Sequence, residues 1–314
     1  MPATSARAPA KTILFGEHAV VYGFSAIAVP INSIGINVSV HAKPDEKLGY
    51  LTIYHTETRK KFSFSSLTRE HPTRAALETI IDSLDIDHLP PIDIRITSTI
   101  PSAAGLGSSA AFAVALTRAV SNFLGFSLTT NEISNIAYKI EQLIHGTPSG
   151  IDNTVIAFNQ PILFSKELPH QFLKIKKPIN LVIADSGERT LTKKVLAEVR
   201  EKREKKRNDV DALFQEIHSI VLQAKPQLVD GQMALLGKLM NENHRLLVDL
   251  GVSSPTLNNL TQTALLSGAF GAKMCGGGQG GIITALADEH NINIIRDNLL
   301  QAGAISCFTN ILSI

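Results

Sequence analysis

Three stretches of the chain set acids, a lysine and hydroxyls beside glycines, a combination suited to handling phosphate. The most informative reads Pro101-Ser-Ala103-Ala104-Gly105-Leu106-Gly107-Ser108-Ser109-Ala110. Small residues let backbone N–H groups approach phosphate oxygens, and a helix starting near Ser108 adds the positive end of its dipole. The Ser108 and Ser109 hydroxyls can serve a phosphate or Mg²⁺. No Gly-Lys-Ser/Thr follows, which excludes the Walker type of phosphate loop. The segment also fits a relaxed dinucleotide fingerprint, as does Gly276-Gly277-Gly278-Gln279-Gly280-Gly281. From Gly105 the next acidic residue is Glu132, inside an expected helix, and from Gly276 the first are Asp288 and Glu289, too soon for such a site, so hydride transfer is a weak competitor.

The second stretch is Glu141-Gln-Leu-Ile-His145-Gly146-Thr-Pro148-Ser149-Gly150-Ile-Asp152-Asn153. Glu141 falls in the last turns of an expected helix, and a Gly/Pro turn can fold Asp152 back toward it. One carboxylate suits a hard cation held partly by substrate phosphates; the other suits a hydroxyl nucleophile that must lose its proton. Equally, Glu141 and His145 can simply pair at i, i+4 and Asp152 can bond its own turn. The third stretch is Lys11-Thr-Ile-Leu-Phe-Gly16-Glu17-His18-Ala-Val-Val-Tyr22-Gly23. Lys11 can neutralise charge near a phosphate, while Glu17 and His18 can bind a polar substrate.

These residues need a scaffold, and the first half supplies short β-rich runs: Thr12 to Phe15, Ala26 to Ile31, Gly35 to Ala42, Leu51 to Tyr54 and Lys60 to Phe64. A helix over Arg74 to Leu84 and an alternating strand over Ile92 to Thr97 lead into the glycine loop. A helix from Ser108 to Leu124, apolar almost all round, is expected to be buried. Thr129 or Thr130, with Glu132, caps the next helix, which runs to about Ile144. Polar and basic residues then follow, Lys166, Lys174, Lys176 and Lys177, before the apolar strand Ile179 to Ala184. That shift places a domain boundary between residues 1–177 and 178–314. Beyond it the sequence predicts helices over Thr192 to Arg207, Val210 to Ala224 and Met233 to Leu250, and a helix opened by Ser254-Pro255. Short strands near Gly271 and over Gly281 to Leu286 and a final helix and strand ending at Ile314 complete the pattern.

With 314 residues and a formal charge of +2, the chain is long enough for two domains and shows no call for a polyanionic partner, so neither nucleic acid nor membrane is expected. The charged run Glu198 to Asp211 interleaves both signs, as a solvated helix face does. Cys275 and Cys307 form no metal-ligand or disulfide pattern, and no targeting signal or membrane span is evident, which fits a reducing cytoplasm.

Taken together, the three stretches resemble the GHMP kinase superfamily, and within it the mevalonate kinases, over nearly the whole chain. The loop is similar to that superfamily's Pro-x-x-x-Gly-Leu-Gly-Ser-Ser-Ala motif. Lys11 to Gly23 and Glu141 to Asn153 resemble the mevalonate kinase motifs Lys-x-Ile-Leu-x-Gly-Glu-His-Ala-Val-Val-x-Gly and Glu-x-x-x-His-Gly-x-Pro-Ser-Gly-x-Asp-Asn. The resemblance implies an α+β fold of two domains, a ribosomal-protein-S5-like N-terminal one and a ferredoxin-like C-terminal one, with the active site in the cleft between them. It implies ATP and mevalonate as substrates, Mg²⁺ as cofactor and transfer of phosphate to the 5-hydroxyl, with phosphomevalonate kinase, homoserine kinase or a non-catalytic ligand sensor of the same fold as the alternatives; a homodimer is left open. By the same resemblance Asp152 is the catalytic base and Lys11 its charge partner. Ser109 and Glu141 are then Mg²⁺ ligands, Pro101 and Ala103 to Ala110 hold ATP, and Glu17, His18, Thr192 and Gly277 meet the acceptor. His244 to Val252 resembles a helix of the family's C-terminal domain. Two departures stand out. The family's third motif, Lys-x-Thr-Gly-Ala-Gly-Gly-Gly-Gly, here reads Lys273-Met-Cys275-Gly-Gly-Gly-Gln279-Gly-Gly281, and Phe112 replaces a frequent Tyr.

Overall fold

A computed structural model describes residues 3–146, 148–165 and 169–313. Thr147 of the second stretch, Lys166 of the basic segment and Ile314 at the end of the expected last strand lie outside the described residues. The chain divides into two compact units, one of Met1–Ala10, Ile34–Ile100 and Gly107–Asn159, the other of Lys11–Ser33, Pro101–Leu106 and Gln160–Ile314. Two long strands, β1 (Ala3–Phe15) and β2 (Ala26–Ala42), contribute residues to both.

In the first unit the later half of β2 pairs antiparallel with β5 (Ile92–Ser98), which runs parallel to β3 (Leu51–His55), itself antiparallel to β4 (Lys60–Ser63). Register sets Val38 opposite Ile96 and Ile53 opposite Ile94. Along β5, Ile92, Ile94 and Ile96 are buried while Arg95 and Thr97 face water, the alternation of a sheet with one wet face. The helices are α1 (Pro72–Ser83), α2 (Ser108–Phe123), α3 (Thr130–His145) and α4 (Ile151–Phe158). Helix α2 touches the other three, which is why its small apolar residues Ala110 to Leu116 are almost all buried. Helix α3 starts with a capping box, the Thr129 hydroxyl accepting from the Glu132 N–H and the Glu132 carboxylate from the Thr129 N–H.

The second unit holds a four-stranded antiparallel sheet in the order β11-β8-β10-β9. Its strands are β8 (Ile179–Asp185), β9 (Gly271–Cys275), β10 (Ile282–Ala287) and β11 (Ser306–Leu312). Helices α7 (Met233–Leu250), α8 (Pro255–Leu266) and α9 (Ile292–Gln301) pack on it, and α5 (Thr192–Lys205) and α6 (Arg207–Asp230) complete the unit. The start of β2 pairs with β6 (Ile162–Phe164), which pairs antiparallel with the two-residue β7 (Gln171–Phe172). Among the described residues no helix is long and apolar enough to cross a membrane.

Several elements differ from expectation; β1, for one, begins at Ala3 rather than Thr12. The runs Ala26 to Ile31 and Gly35 to Ala42 form one strand, because Asn310 of β11 accepts from the N–H groups of Asn32 (2.7 Å) and Ser33 (3.3 Å) and thereby satisfies the intervening polar pair. Helix α6 continues past Ala224 through Pro226, which can donate no N–H bond of its own, to Asp230. The turn expected around Asp152 becomes the short helix α4.

Candidate active site

In the second unit, β1 delivers Lys11 to a buried position, where its backbone N–H donates to the Leu106 carbonyl at 3.0 Å. That bond ties the end of the segment Pro101–Leu106 to β1. Within the segment Ala103 (φ +54°) and Gly105 (φ +80°) are left-handed and exposed, and Ala104 and Leu106 are buried. A Cβ built on Gly105 would lie 3.9 Å from Gly276, so this loop and the glycine run after β9 meet backbone to backbone.

Past β1 the chain turns at Gly16-Glu17-His18, and both polar side chains point inward, 1% and 4% exposed. Glu17 forms an ion pair with Lys273 of β9, whose Nζ also donates to the Met274 carbonyl at 2.7 Å and lies 3.7 Å from the Cys275 thiol. The thiol in turn donates to Thr284 at 3.3 Å. His18 donates from Nε2 to the Gly277 carbonyl at 3.0 Å. A Cβ on Gly277 would come within 2.7 Å of the Thr192 hydroxyl, so an exposed Thr192 and a half-buried Gly277 adjoin the buried His18 and Glu17. Glu17 Oε2 and His18 Nδ1 are buried there with no hydrogen-bond partner among the described residues. Buried polar atoms are rarely left so, and two in adjacent side chains suit a polar ligand.

The electrostatics follow from burial. Loss of hydration pushes the Glu17 carboxyl above its ordinary value, with Lys273 opposing the shift. Burial, reinforced by the Lys273 charge, lowers His18 to about 4, so the imidazole is neutral near pH 7. Burial likewise raises the Cys275 thiol, leaving it protonated and inert as a nucleophile.

In the first unit, Gly107 (φ +73°) opens α2, so the first-turn N–H groups over Ser108, Ser109 and Ala110 lack intrahelical acceptors. The Ser109 hydroxyl donates to the Glu141 carboxylate near the end of α3, and Glu141 is 5% exposed. His145 Nε2 stands 3.9 Å from the same carboxylate, so the i, i+4 contact and the serine contact coexist. Asp152 is the second residue of α4 and half-buried. Its neighbour Asn153 moors α4 to α3 by donating to the Ser134 carbonyl (3.1 Å) and hydroxyl (2.9 Å). Asp152 and Glu141 thus sit on two helices that pack together.

Ser109 and Glu141 offer hard oxygen donors that suit Mg²⁺, which takes few protein ligands and completes its shell with phosphate and water. Among the described residues no group of three His, Cys, Asp or Glu side chains could hold a metal without such help. Sequence reasoning gave no role to Lys273, although a lysine inside the apolar run Gly271 to Cys275 signals a buried partner. It also passed over Asp185 and Arg189.

Models of known families match both halves of the chain: the GHMP kinases N terminal domain over residues 71–160 and the GHMP kinases C terminal domain over 224–305. The mevalonate kinase of Thermococcus gammatolerans is 38% identical over 318 residues, covering 95% of this chain and 93% of that protein. The mevalonate kinase of Pyrococcus horikoshii is 37% identical, covering 98% and 95%. The crystal structure of L. major mevalonate kinase in complex with R-mevalonate superposes with a TM-score of 0.86 at 27% identity, over 98% of this chain and 95% of that one.

Proposed function

The chain belongs to the GHMP kinases, and from that premise we propose that it transfers the γ-phosphoryl group of ATP to the 5-hydroxyl of mevalonate, giving 5-phosphomevalonate and ADP. One observation supports the acceptor assignment: Glu17 and His18 are buried with an unsatisfied polar atom each, and His18 bonds the carbonyl of Gly277, which adjoins the exposed Thr192. Relatives that the chain matches over nearly their full length include mevalonate kinases.

Phosphoryl transfer is mostly positioning and charge stabilisation. The backbone of Pro101 and Ala103 to Ala110, together with the Ser108 hydroxyl and the start of α2, cradles the ATP phosphates. Asp152 takes the proton of the acceptor hydroxyl as that oxygen attacks the γ-phosphorus, and Lys11 offsets the accumulating negative charge. Ser109 and Glu141 would hold Mg²⁺, which neutralises phosphate charge when bound. Glu17, His18, Thr192 and Gly277 orient mevalonate. In this reading the N-terminal family domain ends at Lys177 and the C-terminal one begins at Pro178. The reaction is placed in the cytoplasm, with no part for nucleic acid or membrane, and a homodimer is left open.

A coupled ADP-release assay across mevalonate, 5-phosphomevalonate, homoserine and galactose tests the assignment. Mevalonate is expected to give a kcat/KM at least about tenfold above any other acceptor. Turnover with another acceptor and none with mevalonate would overturn it.

A further inference from the structure

The segment Pro101–Leu106 contains a strained residue that is not glycine. Ala103 adopts φ +54° while exposed to solvent, a backbone that an L-residue keeps only where its surroundings enforce it. That torsion is measured from the peptide joining Ser102 to Ala103, so a group that grips the Ser102 carbonyl holds the strained turn. Arg189 grips it, Nε donating to Ser102 O at 2.8 Å.

The guanidinium is fixed from behind. Nη1 and Nη2 donate to the two carboxylate oxygens of Asp185, each at 2.7 Å, and Nη1 donates to the Glu188 carbonyl at 3.0 Å. Asp185 ends β8, is fully buried, and accepts a further bond from the Gly187 N–H at 2.9 Å. A two-pronged arginine–carboxylate fork has little freedom to rotate, so the third donor is aimed rather than merely near. Because the other end of the segment is tied at Leu106 by the Lys11 N–H, the strained turn is stretched between two anchors.

We propose that Arg189 is a positioning residue for the nucleotide phosphates, acting through the Ser102 carbonyl to hold the Ala103 turn in the shape that receives them. The proposal rests on the reading that this loop binds ATP. Arg189→Lys is the discriminating change, since an ammonium can stay with Asp185 but cannot span both Asp185 and Ser102. Binding of a non-hydrolysable ATP analogue with Mg²⁺ is measured by calorimetry, alongside KM for ATP, KM for mevalonate and Tm. The nucleotide Kd and KM are expected to rise about tenfold, with the mevalonate KM within about twofold of wild type.

An unchanged nucleotide Kd would overturn the proposal, as would a matched loss for both substrates accompanied by a fall in Tm, which marks a purely structural residue. If Arg189→Lys does not fold, the pair Asp185→Asn/Arg189→Gln removes both charges together and leaves no buried ion orphaned. The same selective rise is expected there, and its absence overturns the idea. A wild-type protein that binds no nucleotide overturns the kinase reading itself and this proposal with it, so the two failures are told apart by the control.

Discussion

Lys273 meets Glu17, 256 positions earlier in the chain, in an ion pair whose two side chains are 0% and 1% exposed. Removing one partner strands a charge away from water, and Glu17 already has one oxygen without a partner among the described residues. Lys273→Met is therefore expected to cost roughly 3–5 kcal/mol of stability, read by urea unfolding, and Glu17→Gln/Lys273→Met to recover most of it. A double variant no more stable than the single one would show that the pair is not what holds the two strands' ends together.

Acid should loosen the fold through His18. The unfolded chain takes up a proton near the ordinary value of 6.5, whereas the folded imidazole resists it down to about 4. Between those values the unfolded state binds more protons, so stability is complete above about pH 6.5 and falls on acidification, by on the order of 3 kcal/mol for this group. His244, also lowered to about 4, adds to the same slope, while the raised Glu17 acts against it. His18→Gln is predicted to flatten the dependence of unfolding free energy between pH 7 and 5; identical slopes would remove His18 as its source.

Gly277→Ala should single out the acceptor. The backbone there tolerates a side chain, but the new methyl would press on the Thr192 hydroxyl at 2.7 Å and its methyl at 3.0 Å. Strain passes to the start of α5 and, through the Gly277 carbonyl, to His18. Mevalonate KM is expected to rise about tenfold with ATP KM unchanged, and Thr192→Ala to restore part of the packing in the double variant. An equal rise in both KM values would contradict this division of labour.

Asp152→Asn is expected to lower kcat by at least about a hundredfold while leaving ATP affinity intact, because the amide keeps the shape but cannot take a proton. Glu141→Gln should instead raise the Mg²⁺ concentration needed for half-maximal rate. Should Asp152→Asn turn over normally, another group is the base.

Much of the scaffold was legible because its causes are local. The Thr129/Glu132 box lies within four residues, and the burial of every second residue from Ile92 to Ile96 is written in the alternation itself. What stayed hidden depends on distant partners. The unbroken course of β2 needs Asn310, 278 residues beyond Asn32, and the meaning of Lys273 needs Glu17. Helix α4 escaped because eight residues flanked by Gly150 and Asn159, both left-handed, are too few to establish a helical period. Most of the candidate residues stand in three short stretches that the sequence marks, yet the arginine behind the loop carries no local pattern to mark it.

The interleaving of the two units also sets an order of manufacture. Every residue of the unit built around α2 has been synthesised once Asn159 is added, whereas Lys11–Ser33 belongs with strands that end at Leu312. At about 5–20 residues per second, the roughly 150 residues between these points take on the order of ten seconds. During translation the first unit can therefore collapse while the Gly16-Glu17-His18 turn still waits, hydrated and unpartnered by Lys273, on the nascent chain. The buried Glu17–Lys273 pair is closed late, by segments far apart in the chain.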